Sequence, residues 1–238
     1  MPGDTGPAMT CGVAASGANP DGLTGVHRSI ERYYSGKIRE YGATALGVDW
    51  NCVPAQELRF AQLVKVIDFS QPLALNDVGC GYGALLAYLG RRHRGAAIDY
   101  RGCDLSAEMI RAAKRKWRHR TNARFVVGAN ALEAADYALA SGIFNVNREH
   151  GLGAWEHFVA ATLTAMSGST RKGFAVNFMA PSGPGETTTA SPLYRVAPWR
   201  WMSFCDALGC TSQMIGGYGL QEYTLLVRHA VASVDGGR

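Results

Sequence analysis

The sequence predicts an α/β fold: a mostly parallel β-sheet covered by helices on both faces, closed by an antiparallel pair of strands and preceded by a helical cap. Three observations predict it. From residue 73 onward, short apolar runs of strand length alternate with helix-period segments. A glycine-rich loop, Gly79-Cys80-Gly81-Tyr82-Gly83, follows the first apolar run and opens a helix. The last two runs, 211–215 and 222–227, are separated only by a turn at Gly216-Gly217-Tyr218-Gly219, so they pair as a hairpin.

The elements follow in order. Residues 1–22 are rich in Gly, Ala, Pro and Ser and read as a disordered leader. Residues 23–70 form the helical cap or lid. Its first helix, 24–40, carries apolar points at Ile30, Tyr33, Tyr34 and Ile38. Pro54 suits the first turn of a second helix, 55–68. The sheet domain spans 71–230 and starts with a strand at 73–78. A helix at 84–90 and a strand at 98–103 follow, the strand made less apolar by Asp99 and Arg101. Ser106 is the N-cap of a helix at 106–117, with Glu108 in its first turn. Strands are expected at 124–127 and 137–140. A helix at 155–166 places Trp155, Phe158, Val159, Thr162, Leu163 and Met166 at spacings of three and four. A strand at 173–179, a helix at 199–208 and the closing hairpin complete the domain, and 231–238 reads as a flexible tail.

Composition bounds the function. The chain has 238 residues, 47% hydrophobic and 18% charged, enough for one large or two small domains with a sizeable core. The net charge of +5 is too small to indicate a nucleic-acid partner. The six cysteines form no CxxC pair and have no histidine at zinc-finger spacing, so neither a metal site nor a disulfide framework is expected. Reduced cysteines, no signal-peptide pattern and no run of about 18 apolar residues read as a cytoplasmic protein with no membrane segment.

The loop carries the chemistry. Glycines let the backbone turn sharply and approach a ligand closely, and the following helix N-terminus favours negative groups. Asp77 stands two positions before Gly79, and Asp104 ends the next strand, where an acidic side chain can accept bonds from ribose hydroxyls. Gly79-x-Gly81-x-x-Ala84 also satisfies the dinucleotide fingerprint. Asp77 argues against that ligand, because it would bring negative charge near a pyrophosphate, and favours one with a cationic end.

At these residues the chain resembles the class I S-adenosylmethionine-dependent methyltransferases. The resemblance rests on DVGCGYG (77–83), CDLSAEMIRAAKRK (103–116) and ADYALASGIFNV (135–146). It implies a Rossmann-like, doubly wound, seven-stranded sheet with S-adenosyl-L-methionine across the carboxyl ends of the strands, and methyl transfer by in-line displacement. Carried over, Gly79, Gly81 and Gly83 line the cofactor, Asp77 holds its amino group, Asp104 takes the ribose hydroxyls and Leu105 lies against the adenine. Many relatives place an Asp after the third strand, where this chain offers Asn130. Ser141 and Asn145 are the catalytic candidates, Ser141 also touching the cofactor. Phe144, Asn145, Tyr33, Tyr41, Trp50 and Arg195 are the candidates to bind the acceptor.

A sheet domain of about 160 residues, a cap and a tail leave little room for a nucleic-acid module, so a small-molecule acceptor methylated at N or O is expected, and monomer and homodimer both stay open. Three rivals stand beside it. Arg91-Arg92-His93-Arg94 and the run from Arg111 to Arg120 would serve a nucleic-acid methyltransferase, although no appended nucleic-acid module is visible. A non-catalytic cofactor-binding module of the same fold and an NAD-dependent oxidoreductase are the others.

Overall fold

A computed structural model describes residues 20–50, 52–129, 133–147, 150–183 and 192–230. Most of the expected leader, the tail and Asn130 therefore lie outside the described residues. Helix α1 (Pro20–Tyr41) starts inside the expected leader, and proline is tolerated in a first helical turn. A 3₁₀ turn (Leu46–Val48) leads to α2 (Val53–Leu63). The sheet domain then runs β1 (Leu73–Val78), α3 (Ala84–Arg92), β2 (Ile98–Asp104), α4 (Ala107–Lys116), β3 (Ala123–Val127) and β4 (Ala135–Ala140). It ends with α5 (Leu152–Ser169), β5 (Thr170–Met179), α6 (Pro198–Ala207), β6 (Cys210–Ile215) and β7 (Glu222–His229).

The seven strands lie in the order β3-β2-β1-β4-β5-β7-β6. β7 is antiparallel to both neighbours, and the remaining pairs are parallel. The closing hairpin thus inserts its second strand between β5 and β6. The chain winds outward from β1 on one side and from β4 on the other. The carboxyl ends of β1 and β4 flank the crevice at that switch of direction, where open α/β sheets bind ligands.

Burial explains why the central strands are apolar throughout. All six residues of β1 are buried, as are the first six of β7, because helices cover both faces. One face packs against α5 and α6 through Trp155, Phe158, Leu163 and Trp201. The other packs against α2, α3 and α4 through Phe60, Leu63, Leu85, Leu89 and Ile110. α1 bridges the top, with Val26 in the first core and Ile38 beside Met109 of α4. Ser35 of α1 bonds Ser106 at 2.7 Å, and Ser106 accepts from the Met109 amide as the N-cap of α4. The cap helix is thereby tied to the turn that carries Asp104.

Candidate active site

A cleft opens at the carboxyl ends of β1, β2 and β4. Its floor comes from sheet loops: Asp77 to Gly81, Asp104, Leu105, Gly128, Ala129 and Ser141 to Ile143. Its roof comes from Ile30 and Tyr34 of α1, Val48, Trp50, and Gln56 and Phe60 of α2. Phe158 and Thr162 of α5 close one side.

Left-handed backbone makes the floor close. Gly79 has φ +70°, and a Cβ there would lie 2.3 Å from the Ile143 side chain; Gly81 has φ +53°, with Val48 at 2.8 Å. Neither position tolerates a side chain without strain. Gly83, expected beside the cofactor, is held in a close packing contact. It is absent from the cleft lining, and a Cβ there would lie 2.4 Å from Trp117 Nε1, which donates to the Tyr82 carbonyl. Gly83 lets the start of α3 pack closely against Trp117 at the end of α4.

Two carboxylates face this floor. Asp77 is 3% exposed and accepts a short hydrogen bond from the Tyr100 hydroxyl. Burial pushes its carboxyl up to about 7, opposed by the Tyr100 bond and assisted by the charge of Asp104. Asp104 is half-buried and accepts from the Gly81 amide (2.9 Å) and the Ser106 amide (2.8 Å), one on each oxygen. Burial raises it to about 6, while those two amides favour its ionised form. Each oxygen keeps a lone pair for a ligand hydroxyl. No lysine, arginine or histidine lines the cleft among the described residues. Such a site suits a ligand with an ammonium group and a diol and has nothing to neutralise a pyrophosphate.

Behind the roof lies a buried polar network. Glu222 of β7 takes both Nε and Nη2 of Arg59 from α2, at 2.7 and 2.5 Å. It also accepts from Asn177 at 3.1 Å and from Asn145 at 3.5 Å. Asn177 in turn accepts from the Gly142 amide at 2.8 Å. The Arg59 guanidinium lies 3.9 Å from the centre of the Trp50 ring. Trp50 packs so tightly on Gly142 (φ +72°) that a Cβ there would meet its ring at 2.2 Å.

The acceptor candidates separate. Ser141 and Trp50 line the cleft, and the Ser141 hydroxyl is buried without a protein partner among the described residues. Phe144 does not line it: it is fully buried, stacked on Phe178 at 5.1 Å, and belongs to the core. Asn145 faces Glu222 from outside the lining. Arg195 is also outside it, and its guanidinium donates to the Ala180 carbonyl at 3.0 Å. Tyr33 donates to Asp49 at 2.7 Å, and Tyr41 is 39% exposed. Tyr34 faces the cleft instead, because it shares a helix face with Ile30 and Ile38 at intervals of four. Asp49, the one non-glycine with positive φ among the described residues, is held by Tyr33 and by Lys37 at 2.7 Å. Tyr34, Tyr100, Gln56, Arg59, Asn177 and Glu222 were not among the expected site residues. Only Tyr34 left a local signal, its spacing from Ile30.

The basic runs lie outside the lining as well. Arg91 pairs with Glu57, and Arg111 with Glu108. The five cysteines among the described residues are free thiols, and no group of three metal-ligating side chains occurs there. No helix among the described residues is long and apolar enough to cross a membrane.

Comparisons with known proteins agree with this geometry. A family model described as a methyltransferase domain matches residues 76–164. The Mycobacterium tuberculosis protein Rv1506c, a methyltransferase by name, is 38% identical over 168 residues, covering 70% of this chain and 99% of that protein. Magnesium protoporphyrin IX methyltransferase from Synechocystis, solved with S-adenosylmethionine bound, superposes with a TM-score of 0.59 at 16% identity, over 90% of this chain and 100% of that one. Human N-acetylserotonin methyltransferase gives 0.55 at 15%, over 88% and 67%. At these identities the structures speak for the fold.

Proposed function

The chain belongs to the S-adenosylmethionine-dependent methyltransferases, and from that premise we propose that it methylates a nitrogen or oxygen of a small-molecule acceptor. S-adenosylmethionine is the cofactor, and when bound it supplies an electrophilic methyl group on a sulfonium. The rest is the work of this chain's residues. Asp77, ionised and braced by Tyr100, holds the amino group. Asp104, oriented by the Gly81 and Ser106 amides, takes the ribose hydroxyls. Leu105 lies against the adenine, and Gly79 and Gly81 admit the ligand against bare backbone.

The acceptor then lies under the roof of residues 23–70. Ser141 gives it a hydrogen bond, and Trp50 and Tyr34 shield it from water. Asn145 acts from behind as a positioning residue, through Glu222. One observation carries the reading: a buried and a half-buried carboxylate flank a left-handed glycine turn in a cleft whose described lining holds no cation. The basic runs lie away from that cleft, which favours a small acceptor over a nucleic acid.

The test is to incubate the protein with methyl-labelled cofactor and cell extract divided into small-molecule and nucleic-acid fractions. Label in the small-molecule fraction, identified by mass spectrometry, is the expected result. Label confined to the nucleic-acid fraction overturns it.

A further inference from the structure

We propose that the methyl acceptor binds as an uncharged, largely apolar molecule that presents one neutral polar group to Ser141. The proposal rests on the methyltransferase reading and extends it to the substrate class. Once Asp77 and Asp104 are engaged by the cofactor, the remaining described lining holds no charged side chain. Ile30, Tyr34, Trp50, Phe60, Ile143 and Phe158 make it aromatic and aliphatic. Its polar groups, the hydroxyls of Ser141, Thr162 and Tyr34 and the Gln56 amide among them, are neutral. The Thr162 hydroxyl already donates to the Phe158 carbonyl at 2.9 Å. The Ser141 oxygen is buried without a protein partner among the described residues, so a ligand polar atom gains most there.

Arg59, a strong cation just behind the roof, is withdrawn from the cleft by construction. Arg59 stands behind Trp50, its guanidinium 3.9 Å from the ring centre, and gives Nε and Nη2 to Glu222. Glu222 is further satisfied by Asn177 and Asn145. The charge pair is thus neutralised within the protein, and the cleft meets the indole in its place. Arg195, one of the candidates to bind the acceptor, is bonded to the Ala180 carbonyl outside the lining. Among the described lining residues an ionised acceptor gains no charged partner for the hydration it loses, whereas a neutral one loses little.

The test uses the full chain saturated with S-adenosylhomocysteine at about pH 7, titrated in a calorimeter with three probes on one ring system: 2-naphthol, 2-naphthoate and 2-naphthylmethylammonium. The neutral naphthol is expected to bind about tenfold tighter than either ion. Trp50→Leu is expected to weaken naphthol roughly fivefold in protein still saturated with S-adenosylhomocysteine. Binding of either ion as tightly as naphthol, or binding of none of the three to the loaded protein, overturns the neutral class. Failure of S-adenosylhomocysteine to bind at all overturns instead the cofactor reading beneath it.

Discussion

The floor and the roof of the cleft are built by different means. The floor is backbone: glycines with positive φ, amide groups, and carboxylates at strand ends, all within a few residues of β1, β2 and β4. The roof is side chain: Tyr34, Trp50, Gln56 and Phe60 from α1, α2 and their connection, braced from behind by Arg59 and Glu222, which are 163 positions apart. Backbone geometry tolerates few substitutions and suits a ligand that does not vary. A wall of side chains can be altered one residue at a time, and suits the partner that defines a particular enzyme. Cofactor binding and acceptor choice should therefore be separable by mutation.

The largest effect is expected in the brace. Glu222→Gln leaves the buried Arg59 charge without its counter-ion, and loss of one partner of such a pair costs about 3 kcal/mol of stability. Denaturant unfolding measures it. Cofactor affinity in the folded variant is expected to change by less than about threefold, since the brace touches the roof and not the floor. A collapse of cofactor affinity at unchanged stability would break the separation. The floor gives the next effect. Gly79→Ala places a methyl group at φ +70° and against Ile143, and cofactor affinity is expected to fall about 100-fold in a protein that still unfolds cooperatively. Near-normal affinity would remove Gly79 from the floor.

The smallest effect is a pH dependence that sharpens the role of Asp77. Its carboxyl binds a proton more tightly in the folded protein than in the unfolded chain. It therefore contributes stability at acid pH that is lost as pH rises from 3.8 through about 7. A cationic ligand group recovers the cost of ionising it. Cofactor affinity should then rise by up to about tenfold per pH unit below that value and level off above it. Asp77→Asn should flatten the rise, with residual slope from Asp104 near 6. An unchanged profile would separate Asp77 from the ligand.

The same contrast governs what could be read in the sequence. The floor was legible because its parts are local. A strand, a glycine turn, an N-cap at Ser106 and an acid at the next strand end each leave a pattern within a few residues. The mostly parallel sheet and its closing antiparallel pair followed from alternation and from the missing helix before β7, whereas the strand order, with β7 inserted between β5 and β6, left no local pattern. The roof was legible only in outline. Trp50 was anticipated and Tyr34 was missed in favour of Tyr33, because which of two adjacent tyrosines turns inward depends on how α1 docks through Ser35 and Val26. Arg59, Asn177 and Glu222 left no local mark, since their meeting depends on α2 crossing β5 and β7. Phe144 and Asn145 were placed in the site because they follow β4, but the turn at Gly142 directs Ser141 to the cleft and Phe144 into the core. Gly83 fits the glycine pattern yet serves packing against Trp117.

The central claim is that Asp104 and the glycine turn form the cofactor site, and a calorimetric titration of wild-type protein and Asp104→Ala with S-adenosylmethionine and with NAD tests it most directly. The account predicts binding of S-adenosylmethionine and not NAD to the wild type, with affinity weakened by more than about tenfold in folded Asp104→Ala. Preference for NAD, or equal S-adenosylmethionine affinity in the two proteins, would contradict it.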